Sequence, residues 1–285
     1  MKIFHICAGW QKWNGAANIA RLIIGEQSQE GHEVSFATWA SIGMLRAADV
    51  VWIHCSWKPC LWWAALWGRN VHWMPECSYD PIRRKYHGWK KALVGPIERF
   101  CLRRAKALVA TCSAEADWIR SYLGHHCPPI IITDIKRFFK LVSGGVESGG
   151  VCSTDSELHL LYLGRRHPLK GVEYLESAVS QLNSFNPPLT TPPLLRIVST
   201  AFGEELEKVW DWCDVLVLPT LSDNFGLVIA EAIERGKRVI TTDGALAWGD
   251  GNDYGGRLVY LNGFRDGTPE KRVELLKSAI ERVCK

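Results

Sequence analysis

The run from Asp214 to Thr242 limits the possible folds more than any other stretch of the 285 residues. Val215 to Leu218 is a short apolar, β-prone segment, and Ser222 or Asp223 stands where a helix cap belongs. Gly236 can close that helix before a second apolar strand, Arg238 to Thr242. Strand, turn, helix and strand in this order form the repeating unit of a parallel α/β sheet. At the helix start the amides of Asn224, Phe225, Gly226 and Leu227 lack intrahelical partners, and with the helix dipole they favour a negative group. The sequence therefore predicts a phosphate-bearing ligand there, with Glu231 reaching it from the helix side.

The same alternation runs along the rest of the chain. Ile3 to Cys7, Glu33 to Thr38, Val50 to His54 and Leu108 to Thr111 read as strands, and Ala16 to Gln29 and Ile97 to Lys106 as helices with one apolar face. Further strands are expected at Leu158 to Leu163 and Leu194 to Val198, with a closing helix from about Pro269 to Val283. The Gly- and Ser-rich stretch from Ser143 to Gly150 marks a linker. This gives an N-terminal Rossmann-like domain over residues 1–142, a linker over 143–156 and a C-terminal Rossmann-like domain over 157–285. Each domain is long enough for its own core.

Composition removes several classes. At 47% hydrophobic and 22% charged the chain reads as an ordinary globular protein. Its longest strongly apolar run, Leu61 to Trp67, is far short of the roughly 20 residues that cross a bilayer. The N-terminus enters the first strand without a signal core, so a cytoplasmic location is expected. The ten cysteines are scattered with no Cys-x-x-Cys pair, which points to reduced thiols and away from a zinc site. Asp250 to Gly256 hints at a calcium loop but lacks the closing glutamate, so it reads as a surface turn. No cofactor and no metal are expected.

Three segments carry a resemblance. Asp223 to Glu231 resembles the donor-site signature of the large family 4 of GT-B glycosyltransferases, in which two glutamates separated by seven residues flank a Phe-Gly and a helix start. Leu161-Tyr-Leu-Gly-Arg-Arg-His-Pro-Leu-Lys-Gly171 is similar to the family's Gly-Arg turn and Lys-Gly. Met74-Pro-Glu-Cys-Ser-Tyr-Asp-Pro81 is similar to its Pro-His-Gly-x-x-Asp-Pro loop, and Asn14-Gly-Ala16 and Gly31-His-Glu-Val34 fit the pattern. The resemblance implies a GT-B fold, two Rossmann-like domains facing across a cleft, with a compact C-terminal domain. It implies a metal-independent, retaining glycosyltransferase of hexosyltransferase type, using a nucleoside diphosphate sugar and a saccharide or glycolipid acceptor.

The implied catalytic residues are Arg165 and Lys170 on the diphosphate, Asp223 on hydroxyls of the donor sugar and Glu231 on the ribose. Gly164 and the Asn224, Phe225, Gly226 and Leu227 amides complete the donor site. Asp223 replaces a glutamate and is shorter by roughly 1.5 Å, so capping the helix is its competing role. On the acceptor side stand Gly15, Ala16, Glu76 and Asp80. Glu76 replaces the family's histidine, and either orients an acceptor hydroxyl or pairs with Arg83, Arg84 or Lys85. Asp80 either binds acceptor hydroxyls or starts a turn before Pro81.

Residues 1 to 130 hold 16 Lys and Arg against nine Asp and Glu, a net +7, while the remainder is −3. Eleven of the 14 tryptophans lie in that basic half, and Trp57, Trp62, Trp63 and Trp67 sit beside Lys58 and Arg69. They read either as core or as a peripheral contact with an anionic membrane, at the inner face of the cytoplasmic membrane. The latter would suit an acceptor in a growing surface glycan such as lipopolysaccharide core. No nucleic-acid-binding motif is visible. A non-catalytic sugar or nucleotide-sugar binder and a sugar-nucleotide epimerase remain the competing functions.

Overall fold

The computed structural model describes residues 1–9, 15–141, 157–184 and 192–284. The linker expected over 143–156 and Asn14 lie outside them, as do the side chains of Lys90 and Lys91. The chain divides into two compact units, Met1–Phe138 and Phe139–Lys285.

The first unit alternates strictly: β1 (Lys2–Cys7), α1 (Gly15–Gln29), β2 (Glu33–Ala37), α2 (Ile42–Ala47), β3 (Val50–His54), α3 (Pro59–Trp67), β4 (Val71–Met74), α4 (Pro81–Arg103), β5 (Ala107–Ala110), α5 (Ser113–Leu123) and β6 (Ile130–Ile132). Its six parallel strands run in the order β2-β1-β3-β4-β5-β6. Strands covered on both faces carry continuous apolar runs, and Ala107–Ala110 is buried throughout for that reason. Trp73 is fully buried, and Trp57, Trp62 and Trp63 pack half-buried against the same core. Of the cluster beside Lys58, only Trp67 is exposed, with Arg46 stacked 5.2 Å over its ring.

The helix expected over Ile97 to Lys106 is a much longer element, starting at Pro81. Asp80 caps it by accepting from the Ile82 amide at 2.9 Å, and Pro81 fits its first turn. Gly88, at φ 51, breaks the helical path and Pro96 lies inside it, so the sequence periodicity is interrupted twice.

The second unit comprises β7 (His159–Leu163), α6 (Val172–Asn183), β8 (Leu194–Val198), α7 (Gly203–Trp212), β9 (Val215–Leu218), α8 (Leu227–Glu234), β10 (Arg238–Thr242), β11 (Leu258–Leu261) and α9 (Pro269–Cys284). Its parallel strands run β11-β10-β9-β7-β8. Chain direction across the sheet reverses between β7 and β9, where α/β sheets bind ligands beyond their carboxyl ends. In the first unit the reversal falls between β1 and β3.

The eight cysteines whose thiols are described are free. Among the described residues no helix is long and apolar enough to cross a membrane, and no group of three or more His, Cys, Asp or Glu could hold a metal ion. The turn at Asp250 spends its side-chain oxygens on its own backbone: Asp250 accepts from the Asn252 amide, and Asn252 from the Tyr254 amide.

Candidate functional site

Both loops at the β7/β9 switch point carry the residues singled out from sequence. After β7 the chain turns at Gly164, and the Tyr162 hydroxyl holds the turn by donating to the Arg165 carbonyl at 2.9 Å. Arg165 is exposed and, among the described residues, its guanidinium meets no carboxylate; neighbouring Arg166 is tied to Glu176. A short 3₁₀ turn, Pro168–Lys170, then aims Lys170 across to the β9 loop, where its Nζ pairs with Asp223 Oδ2. Gly171 is required here. It has φ 63, and a Cβ would lie 2.2 Å from the Pro219 carbonyl.

The β9 loop is fixed on both sides. Leu169 O accepts from the Leu221 amide at 2.8 Å and the Thr220 hydroxyl at 3.0 Å, and the Asp223 amide donates to Gly244 O at 2.9 Å. A Cβ on Gly244 would stand 2.0 Å from the Thr220 carbonyl, so only glycine allows this approach. Trp248 Nε1 donates to the Phe225 carbonyl, and the Phe225 ring is buried between Phe139 and Trp248. Phe225 therefore offers a ligand its backbone alone.

The helix starts later than its sequence suggests. Neither Ser222 nor Asp223 caps it; the N-cap is Gly226 in the left-handed region, and α8 begins at Leu227. The reason lies in the competing partners of Asp223, whose Oδ2 is drawn to Lys170 and whose Oδ1 accepts from the adjacent Asn224 amide at 2.9 Å. The Asn224 amide is thus taken, and the Phe225, Gly226 and Leu227 amides precede the first bond of the helix, Ile229 N–H to Gly226 O. Glu231 lies two turns along α8, half-buried, and among the described residues its carboxylate has no hydrogen-bond partner. Burial pushes its carboxyl above the ordinary value, and Arg235 opposes that. Glu234, its sequence competitor, is exposed and accepts from the Lys140 amide.

In the first unit, Gly15 and Ala16 open α1 after β1, and no atom would stand within 4 Å of a Cβ on Gly15. Glu76 is buried at the end of β4. Its carboxylate does not face Arg84 or Lys85: Oε2 accepts from the Cys55 thiol at 3.7 Å and Oε1 lies 3.7 Å from His54 Nδ1. Arg83 reaches the Glu76 backbone carbonyl at 3.5 Å, and Arg84 turns outward onto the Tyr122 ring. Burial, with Glu115 adding a like charge, pushes the Glu76 carboxyl up to about 8. Asp80 is fully buried as the cap of α4.

Sequence reasoning missed the groups that hold this loop. Glu115 accepts from the Cys77 amide at 2.6 Å and from the Thr111 amide and hydroxyl at 2.8 Å. Behind Glu76, His54 Nε2 and His5 Nδ1 share a 3.0 Å hydrogen bond, and His5 Nε2 meets Gln27 Oε1 at 2.7 Å. Burial lowers both imidazoles to about 3, so they are neutral. Cys55, Trp57, Glu76 and Cys77 all have φ between 55° and 69°, a conformation that costs a side-chain-bearing residue about 1–3 kcal/mol. Such strain gathers at functional sites, and no sequence pattern announces it.

Residues 35–130 match the family model described as Glycosyl transferase 4-like domain. No curated protein matches the chain in sequence. Among solved structures the chain is similar to a sucrose-phosphate synthase from Thermosynechococcus elongatus, at TM-score 0.65 and 15% identity over 99% of this chain and 89% of that one. It is equally similar to WaaG, a glycosyltransferase involved in lipopolysaccharide biosynthesis, at TM-score 0.65 and 13% identity over 98% and 90%. Anabaena HepE, solved with UDP-glucose, gives TM-score 0.63 and 14% identity over 99% and 90%. The fold is that of the GT-B glycosyltransferases, built of two parallel-sheet α/β domains.

Proposed function

We propose that the chain is a retaining glycosyltransferase that moves a sugar from a nucleoside diphosphate sugar to a hydroxyl of a saccharide in a cell-surface glycan, lipopolysaccharide among them. The observation that carries this is that the loops and helix at the β7/β9 switch point carry Arg165, the Lys170–Asp223 pair, the α8 amides and Glu231, with no carboxylate on Arg165 and no hydrogen bond to the Glu231 carboxylate among the described residues. HepE, of the same fold, is a UDP-glucose complex, and WaaG is the lipopolysaccharide precedent. Arg165, Lys170 and the amides would stabilise the leaving diphosphate without a metal, as fixed donors and cations do for developing charge. Asp223, already beside Lys170, would hold sugar hydroxyls next to the bond that breaks. Glu231 would accept from the ribose hydroxyls. The acceptor oxygen attacks the anomeric carbon on the face the diphosphate leaves, and the acceptor proton passes to the departing phosphate oxygen.

The work would take place in the cytoplasm, against the inner face of the membrane. Support comes from the exposed apolar side chains and basic residues of α4. The deciding experiment incubates the protein with nucleotide sugars and glycan acceptors and follows product by mass spectrometry. Transfer with retained configuration, surviving EDTA, supports the reading. Product without an acceptor would favour epimerisation or hydrolysis, and donor binding without turnover a binding protein.

A further inference from the structure

A second site lies wholly within the first unit. A cavity of about 500 Å³ opens beside α4, within the range of about 300–1,000 Å³ usual for small-molecule sites. It exists because α4 presents Gly88, Ala92 and Gly95 to it, so the helix surface facing the space carries almost no side chain. Around that floor stand three cations, Arg84, Lys85 and Arg99, and two aromatic walls, Trp57 and Tyr122.

Among the described residues no carboxylate forms an ion pair with these cations, and Glu98 instead accepts from the Tyr122 hydroxyl at 3.5 Å. Arg84 and Arg99 lie 4.8 and 5.1 Å from the centroid of the single Tyr122 ring. Tyr79 stacks on that ring at 4.4 Å, so the two guanidinium groups share what remains of its surface. The one carboxylate of α4, Glu98, is fully buried and accepts from the Trp57 amide at 3.0 Å. Two like charges held against one ring repel unless an anion joins them, and the planar guanidinium fork matches phosphate oxygens in two-point contacts. Trp57 is held with φ 69, as strained residues at ligand sites are.

We propose that this cavity binds a phosphate group, as a phosphomonoester or phosphodiester carried by a saccharide or by a lipid headgroup. Arg84 and Arg99 grip its oxygens, Lys85 adds charge, and Trp57 and Tyr122 face the group to which the phosphate is attached. All the residues that line it belong to the first unit, and the proposal does not depend on the proposed transfer reaction. If that reaction holds, the phosphate marks the acceptor.

The test titrates the full-length protein with inorganic phosphate, a hexose phosphate and the unphosphorylated hexose, followed by calorimetry and ³¹P line broadening. Phosphate-bearing ligands should bind and the plain hexose should not. An Arg84→Gln/Arg99→Gln variant should weaken binding about tenfold or more, the loss of two charge-assisted contacts. Ala92→Trp, which fills the cavity without changing charge, should do the same. Arg165→Ala/Lys170→Ala should leave it unchanged, and the reverse pattern would assign the phosphate to the second unit and overturn the proposal. A parallel arm sediments each variant with phosphatidic acid and phosphatidylcholine vesicles. Binding confined to phosphatidic acid and lost in the Arg84/Arg99 variant identifies a lipid headgroup, whereas soluble phosphate binding identifies a saccharide ester. Absence of both, with thermal melts confirming folded protein, refutes the site.

Discussion

The ion pair between Lys170 and Asp223 occupies a cation that the proposed chemistry needs for the diphosphate, so a donor must share it or displace it. Lys170→Ala or Arg165→Ala should lower transfer by at least about 100-fold, the scale of losing a group aimed at transition-state charge. Near-normal turnover in both would end the donor-site assignment. Asp223→Ala frees Lys170, so affinity for the nucleoside diphosphate should hold while affinity for the intact sugar nucleotide falls. Glu231→Ala should weaken both, and calorimetry with the two ligands separates the pair. Glu76 supports a different measurement. Its carboxyl, raised from 4.5 to about 8, binds a proton more tightly in the folded chain, so its contribution is full below about 4.5 and is lost as pH rises through 8. His5 and His54, lowered from 6.5 to about 3, act in the opposite sense and only below about 6.5. The window from pH 6.5 to 8 therefore excludes the two histidines and reports Glu76 together with the other raised carboxyls, Glu115 and Glu231. Melting temperature should fall across it by roughly 5 °C, and Glu76→Gln should reduce the fall. Equal slopes in both proteins would contradict the burial argument. Arg165, Lys170, Gly171 and Glu231 could be singled out from the sequence because a local strand, turn and helix pattern carries them. The setting of Glu76 was hidden because it depends on His54, Cys55 and Glu115, brought in from other elements.

At the scale of elements, α4 is the most informative because its two faces differ so strongly. Trp89, Leu93, Ile97 and Phe100 are 70%, 68%, 54% and 58% exposed, and their spacing of four, four and three residues lines one face. The only acid of the helix, Glu98, is buried, so its solvent side is basic and apolar together. That combination suits the surface of an anionic bilayer, where each basic residue near the surface contributes about 1 kcal/mol and aromatic rings enter shallowly. Sedimentation with anionic vesicles should fall with salt. Neutralising Arg83, Arg84, Lys85, Lys90 and Lys91 should remove the salt dependence, while Trp89→Ser with Leu93→Ser should weaken binding at every salt concentration and leave nucleotide affinity unchanged. If the unmodified protein ignores such vesicles at low ionic strength, α4 serves another purpose. The element itself was only partly readable, since Gly88 and Pro96 cut its apolar period into fragments. Val50–His54, Leu194–Val198 and Arg238–Thr242 could be read to the residue, being short, largely apolar or β-branched runs between clear breaks. Val71–Met74 and Ile130–Ile132 could not, because strands of four and three residues take their identity from neighbours in the sheet.

For the whole molecule, the two compact units carry opposite tendencies: Met1–Phe138 holds 18 Lys and Arg against 10 Asp and Glu, and Phe139–Lys285 16 against 20. A polyanionic donor must therefore be held in the acidic part by local groups, since the surrounding charge does not attract it. In the proposed reading the second unit meets that need with Arg165, Lys170 and the α8 amides at its β7/β9 switch point, where doubly wound sheets bind ligands. Ligand binding should thus appear as protection confined to a few segments. With saturating UDP, GDP, ADP or CMP, the matching nucleotide should slow amide exchange most in residues 164–171 and 223–231, and at 100 times its Kd should stabilise the protein by about 2.7 kcal/mol. Protection unchanged by EDTA is expected if, as proposed, Arg165 and Lys170 supply the cations. Protection centred on Glu76 and the β3 loop would place the nucleotide in the first unit and reverse the assignment of donor and acceptor. Since binding alone would also satisfy a non-catalytic protein, the same samples should be supplied with sugar nucleotide and acceptor. Turnover that disappears in Lys170→Ala, while the exchange pattern of the first unit is preserved, would tie catalysis to the second unit's own residues.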